Sequence, residues 1–431
     1  VFKGTTRTMI VQAEERVTPR YDVTQPPAVL AGIRSQFPIF ERNVHGVPLI
    51  YLDTAATSQK PERVIERLAR FYRQEYGTVR RGAYLLCQQS TAMFECARKK
   101  VAQFVNAPTP DEIIFLRGVT EALNLVAVSF ARSVFKPGDE VILSAMEHHA
   151  NIVPWQLVRE QCDITIKVIP MNDRGELLLE EYERLLGPRT RLVSVNHVAN
   201  SLGTINPIAE ISRMAHEHGA AVLVDGAQAA PHLPIDVQAL GCDFYTVSGH
   251  KMYGPTGSGF LYGRREWLDK MAPFLGGGEM IDKVTFEETT FEEPPHRFEA
   301  GTPPIAEVIG LGEAIDFLHD IGMDRVQAWD EALLAYASGR LTEVPGLRFT
   351  GEAEHRSGLI AFVIDGLHPF DVAAILDRKG IAVRAGHHCA QPVMRHFQVP
   401  ATLRASFGVY TTKDDIDALA AGLLLARDML A

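Results

Sequence analysis

The sequence predicts an α/β fold: a mainly parallel sheet covered by helices, followed by a smaller α+β part. Three observations predict it. Short apolar segments alternate with helical ones from Pro48 to about Ala314, the order that builds parallel sheets. The apolar segments are continuous rather than alternating, as strands buried on both faces require. After Gly310 the texture changes to helices and strands in mixed order, which marks a second domain. The expected division is an arm over 1–28, a segment over 29–47 packed on the small domain, a large domain over 48–314 and a small domain over 315–431.

The elements follow in chain order. Residues 10–30 are polar and carry Pro19, Pro26 and Pro27, the mark of an extended arm. Met9 is the expected native start. No apolar h-region precedes or follows it, so a secretory signal is not expected. A short helix is expected over 29–37, ended by Pro38, then a strand over 48–53 that runs into the small-residue loop 54–58. Pro61 opens a helix to about Gln74. A loop over 77–82 carries Arg80 and Arg81. Helices are expected over 90–104, 122–130, 153–161 and 209–218, and strands over 111–116, 140–144, 164–169, 190–196 and 220–225. Two more strands flank the glycine-rich stretch 246–260. Beyond it come helices over 314–319, 323–341, 370–378 and 414–429, with strands over 347–349, 359–363 and 381–384.

Composition excludes several classes. The 431 residues suggest roughly two or three domains. A net charge of −10 and the lack of a Lys/Arg-rich run argue against nucleic acid. No apolar run approaches the ~18 residues of a membrane span. Five scattered cysteines without C-x-x-C spacing argue against a disulfide framework and for a reducing cytoplasm.

In open α/β sheets, ligands bind beyond the carboxyl ends of the strands. The residues there are Thr120, His148, Asn200, Asp225 and 248–251. Lys251 sits among Gly249, Gly254, Gly257 and Gly259. Partial desolvation there favours the neutral amine and suits Schiff-base chemistry, the alternative being a surface lysine in an ordinary turn. Asp225 ends an apolar strand, where an unpaired charge is costly. A lysine Schiff base with an acid on a pyridinium nitrogen is the pattern of pyridoxal 5'-phosphate (PLP), although a helix cap is the commoner role for such an acid. Thr120 opens a helix whose N-terminus suits a phosphate, and Ser248 and His250 flank the lysine as further donors. His148 can lie flat on a cofactor ring. A metal site using His148, His149, His387, His388 and Cys389 competes poorly, because adjacent histidines on a turn rarely reach one ion. Cys389, on a polar loop with Arg384, is a candidate nucleophile rather than a small buried hydrophobe. Arg404 can hold a substrate carboxylate in a bidentate fork, against the bland alternative of a surface ion pair.

The stretches YLDTAATSQKP, RGVTEALNLVA, MEHHANIVPWQ, VLVDGAQA, DFYTVSGHKMYGPTG, RFEAGTPP and VRAGHHCAQP together resemble the SufS-type (group II) cysteine desulfurases. These belong to the class V aminotransferases of the fold-type I PLP enzymes. The resemblance runs from about Phe37 to Leu430. It implies a large domain with a mainly parallel seven-stranded sheet and a smaller α+β domain. It implies that Lys251 carries PLP as a Schiff base, that Asp225 pairs with the ring nitrogen and that Gln228 bonds the ring hydroxyl. His148 would stack on the ring and shuttle protons, and Thr120, Ser248 and His250 would hold the phosphate. Thr302 would reach the phosphate of a partner subunit, which implies a homodimer. Asn200 and Arg404 would clamp the substrate carboxylate with Arg384 close by, and Cys389 would take the sulfur of L-cysteine as a persulfide. A SufE- or SufU-type protein would accept that sulfur for iron–sulfur cluster assembly. No metal, nucleic-acid or membrane partner is implied. Selenocysteine lyase activity on the same site is the nearest alternative, followed by a true aminotransferase and a non-catalytic scaffold. One position departs from the family: Arg80 stands where a histidine is usual, and it is expected to make the entrance more basic.

Overall fold

A computed structural model describes residues 21–430; the first part of the N-terminal arm lies outside them. Its central feature is a seven-stranded sheet. Its strands, with the helix that follows the first of them, are β1 (Ile113–Leu116), α1 (Val119–Ser133), β2 (Glu140–Ser144), β3 (Thr165–Ile169), β4 (Thr190–Asn196), β5 (Ala221–Asp225), β6 (Phe244–Ser248) and β7 (Gly259–Gly263). Their order is β1-β7-β6-β5-β4-β2-β3, and only β7 runs antiparallel to its neighbours. β2, β5 and β6 are buried along their whole length, which explains their continuous apolar sequence.

The second part follows a long helix, Ile305–Ile321, and α2 (Met323–Leu341). It holds a four-stranded antiparallel sheet of β8 (Leu347–Phe349), β9 (Leu359–Ile364), β10 (Arg384–Gly386) and β11 (Thr402–Ser406), in the order β8-β9-β11-β10. The chain closes on the helix Lys413–Leu430.

Several elements differ from the sequence reading. The helix expected over 29–37 is instead two 3₁₀ turns, Ile33–Gln36 and Pro38–Glu41. Phe37 between them is extended, as the residue before a proline prefers. The strand expected over 381–384 is divided. Ile381–Ala382 pairs in parallel with Ile50–Tyr51, and Arg384–Gly386 turns into the four-stranded sheet. Thus the strand that opens the region 48–314 is paired to the C-terminal part, and Asp53 bridges to Ser406 of β11. A two-stranded hairpin, Ile281–Val284 with Thr289–Phe291, buries neither face and escaped the sequence reading because every residue of it after Ile281 is exposed.

Candidate active site

A cavity of about 310 Å³ lies beyond the carboxyl ends of β4, β5 and β6. Thr120, His148, Asn200, Asp225, Gln228, Ser248, His250, Lys251, Arg384, Cys389 and Arg404 all line it. Of the expected site residues only Thr302 is absent; it is exposed on another part of this chain.

The turn that carries Lys251 is built by close approach. A Cβ on Gly249 would fall 2.4 Å from Ser258 Oγ, and one on Gly259 would fall 2.5 Å from Val247 O. Ser248 Oγ accepts the Val119 N–H at 2.9 Å, which ties this turn to the N-terminus of α1. Lys60, which the sequence did not single out, donates from Nζ to the carbonyls of His250 (2.8 Å) and Ser58 (2.7 Å). Burial brings the Lys60 amine down to about 7. Burial also lowers the Lys251 pKa, against the opposing charge of Asp225, and so favours the neutral amine.

Asp225 is 6% exposed. Its Oδ1 accepts the Ala227 N–H at 2.9 Å, and no donor among the described residues reaches Oδ2. Burial raises its pKa, while Lys251 and the Ala227 N–H oppose the rise. A buried carboxylate with a free oxygen asks for a cationic partner, and a protonated pyridine nitrogen is one. Gln228 is fixed by its Nε2, which donates to Ala55 O at 2.7 Å. Behind His148 lies another residue that sequence reasoning missed. Glu147 is fully buried and accepts from Ser144 Oγ, Asn151 Nδ2 and the Asn196 N–H. Burial pushes its carboxyl up to about 7. The acidic residue beside an HH pair was the available signal, but nothing in sequence distinguishes it from a solvated glutamate.

The cysteine loop closes the cavity from the C-terminal part. Cys389 is exposed, and both His388 and Cys389 have φ of 53°. This left-handed pair is held from several sides. The His149 N–H donates to Cys389 O (2.7 Å), Asn200 Nδ2 to His388 O (2.7 Å), and the His388 ring pairs with Thr402 Oγ1 (2.8 Å). Asn200 therefore anchors the cysteine loop as well as facing the cavity, and its own carbonyl accepts Arg404 Nη1 at 2.7 Å. Arg404 is 2% exposed, and burial brings its pKa down to about 10. Arg384 and Arg404 both bind Asp53, another residue that the sequence left unmarked.

Arg80 corrects an expectation. It does not present its charge at the entrance: its side chain is 14% exposed and turned inward onto Glu299, 2.5 Å from Nη2. Arg98 holds the other side of the same buried carboxylate at 2.7 Å. Among the described residues, no group of three or more His, Cys, Asp or Glu is arranged to hold a metal, and no helix is long and apolar enough to cross a membrane.

Three histidines of the site and His197, which lines a separate cavity, sit well below the usual 6.5, chiefly through burial: His148, His197 and His250 at about 4, and His388 at about 3. The unfolded chain takes up these protons below about 6.5 while the native state does not. Stability is therefore lost as pH falls from about 6.5 towards 4 and regained as it rises. Glu147, raised to about 7, works in the opposite direction and offsets about one of the four rings, so we expect a net fall of the urea midpoint between about pH 7 and pH 5; a midpoint that rises across that range contradicts the buried neutral rings.

Residues 50–419 match the family described as aminotransferase class-V. The cysteine desulfurase of Dickeya dadantii (strain 3937) is 51% identical over 392 residues, covering 91% of this chain and 95% of that protein. The crystal structure of the cysteine desulfurase CsdA (S-sulfonic acid) from Escherichia coli superposes with a TM-score of 0.87 at 42% identity, covering 93% of this chain and 99% of the other. A C-DES variant with glycine covalently linked to its PLP cofactor shares 26% identity and a TM-score of 0.78, covering 91% and 98%. The chain belongs to the aminotransferase class-V family. Within that family it groups with the cysteine desulfurases, and its cofactor is PLP.

Proposed function

We propose that the chain is a PLP-dependent cysteine desulfurase in which Lys251 and Cys389 divide the chemistry. The observation that carries this reading is one cavity lined by a lysine, a buried acid and an exposed cysteine. When bound, PLP supplies a carbonyl that captures the substrate amine and a ring that accepts electron density from Cα. Lys251 anchors the cofactor and then moves the Cα proton as a neutral amine. Asp225 balances the positive ring nitrogen, Gln228 meets the ring hydroxyl, and His148 covers the ring face. Thr120, Ser248 and His250 hold the phosphate at the N-terminus of α1. Arg404, Arg384 and Asn200 take the substrate carboxylate. Cys389 Sγ attacks the substrate sulfur: an S–S bond forms, the C–S bond breaks, and the displaced electron pair and a proton end on the alanine methyl group. L-Cysteine and the thiol thus become L-alanine and a persulfide, with no outside oxidant or reductant.

The expected result with the purified holoenzyme is one alanine per sulfur released from L-cysteine in the presence of a thiol reductant. Pyruvate or a keto-acid requirement instead overturns the reading in favour of lyase or transaminase chemistry.

For the assembly we infer a homodimer in which Thr302 reaches the partner's cofactor phosphate. The exposure of Tyr72, Tyr76, Tyr84 and Leu85, each more than half exposed and the first two stacked on each other, supports it. We further infer a cytoplasmic protein that hands sulfur to a SufE- or SufU-type acceptor for iron–sulfur cluster assembly. The domain reading remains 48–314 and 315–431, with 29–47 packed on the smaller unit. The pairing of Ile50–Tyr51 with Ile381–Ala382 argues for counting the first residues of the large unit with the small one.

A further inference from the structure

Arg384 and Arg404 stand directly opposite each other across β10 and β11. Like charges at facing positions of an antiparallel pair destabilise a sheet. Asp53 supplies the missing counter-charge. Both of its carboxylate oxygens accept from Arg384, with Nε at 3.0 and 3.1 Å and Nη2 at 2.8 Å, and its Oδ1 accepts from Arg404 Nη2 at 3.3 Å. The main chain fixes Asp53 in this place. Its backbone bridges to Ser406, whose N–H donates to Leu52 O at 2.7 Å, and Ser406 Oγ accepts the Ala55 N–H at 2.9 Å.

Two guanidinium groups and one carboxylate leave the cluster at a net charge of +1. One ligand carboxylate neutralises it, whereas a dianion overshoots and meets the Asp53 charge. The Arg404 Nε is buried without a partner, so a donor remains for an incoming oxygen. Tyr51, His148, Lys251, His388 and Cys389 also lie near Arg404, and each acts on every anion alike in sign.

We propose that Asp53 is a specificity-determining positioning residue: it sets the arginine pair to a single net positive charge, so that the site takes ligands with one carboxylate and discriminates against dicarboxylates. This rests on the reading of Arg404 and Arg384 as the carboxylate clamp.

The test is calorimetric binding of propionate and malonate, acids of equal carbon number, to the holoenzyme. Asp53→Asn removes the charge and keeps the shape. Its malonate affinity relative to propionate is expected to rise about tenfold at low salt and to fall back at high salt. Asp53→Glu keeps the charge and is expected to keep the parent ratio. The visible cofactor band and the thermal midpoint verify that each variant is folded. A parent ratio in folded Asp53→Asn overturns the proposal. So does an Asp53→Glu ratio raised about tenfold above the parent's, which keeps the idea testable even where the asparagine variant fails to fold. Undiminished propionate binding in Arg404→Gln overturns the clamp reading itself, and separates that failure from a failure of the Asp53 argument.

Discussion

With Cys389 replaced by alanine, the protein should fold, bind PLP and yet release alanine from L-cysteine at no more than about a thousandth of the parent rate. The folding half follows from exposure. The Cys389 side chain projects from a loop held by the main chain, through the His149 N–H to its carbonyl and Asn200 to the His388 carbonyl, and none of these bonds uses the thiol. Alanine at a φ of 53° is little worse than cysteine there, so the stability change should stay within about 0.5 kcal/mol. The catalytic half follows from the C–S bond, which needs a nucleophile on sulfur that no other lined residue supplies. Selenium is a better leaving atom, so the same variant should retain most of its rate on L-selenocysteine. Alanine release measured side by side on the two substrates checks both statements. A full rate on L-cysteine would remove Cys389 from the chemistry.

Replacing Lys251 with alanine should cost more, about ten-thousandfold in turnover, because one amine both anchors the cofactor and moves the Cα proton. Burial already lowers the Lys251 pKa, so the nitrogen is poised as a base and a nucleophile in the protein as folded. Borohydride should trap PLP covalently in the parent, with the label mapping to Lys251, and trap none in the variant. The fold should survive, since the turn is shaped by the close approaches of Gly249 and Gly259 and by Lys60 beneath His250 rather than by the Lys251 side chain. Covalent labelling in the variant would point to another lysine, and Lys60, the other amine with a lowered pKa beside that turn, is the first to examine.

How far the sequence alone reaches depends on contrast. Asp225 and Lys251 stand out because each interrupts apolar or glycine-rich surroundings at a strand end, where a charge is expensive. Cys389 stands out because its loop is polar. Asp53, Lys60 and Glu147 do not, because the signal that marks them is tertiary. Asp53 lies two residues beyond a two-residue strand whose partner is more than 300 positions away, and Glu147 looks like any surface acid until Ser144, Asn151 and Asn196 enclose it. Arg80 departs from expectation for the same reason. Its destination, Glu299, lies in another motif, whereas a basic residue in a loop ordinarily faces water. The seven-stranded sheet was legible because its strands are buried on both faces, whereas the exposed hairpin over 281–291 offers no such pattern.

The pairing of Ile50–Tyr51 with Ile381–Ala382, and of Asp53 with Ser406, also sets an order of events during synthesis. A ribosome makes the chain from its N-terminus, so Asp53 emerges long before either arginine that it holds. The strands and turns around Asp225 and Lys251 can pack while translation continues. The arginine pair and the cysteine loop cannot close over them until Arg404, 351 residues after Asp53, has left the exit tunnel. The lysine end of the site is thus assembled early, and the sulfur-handling end is finished later, when Cys389 and Arg404 have followed.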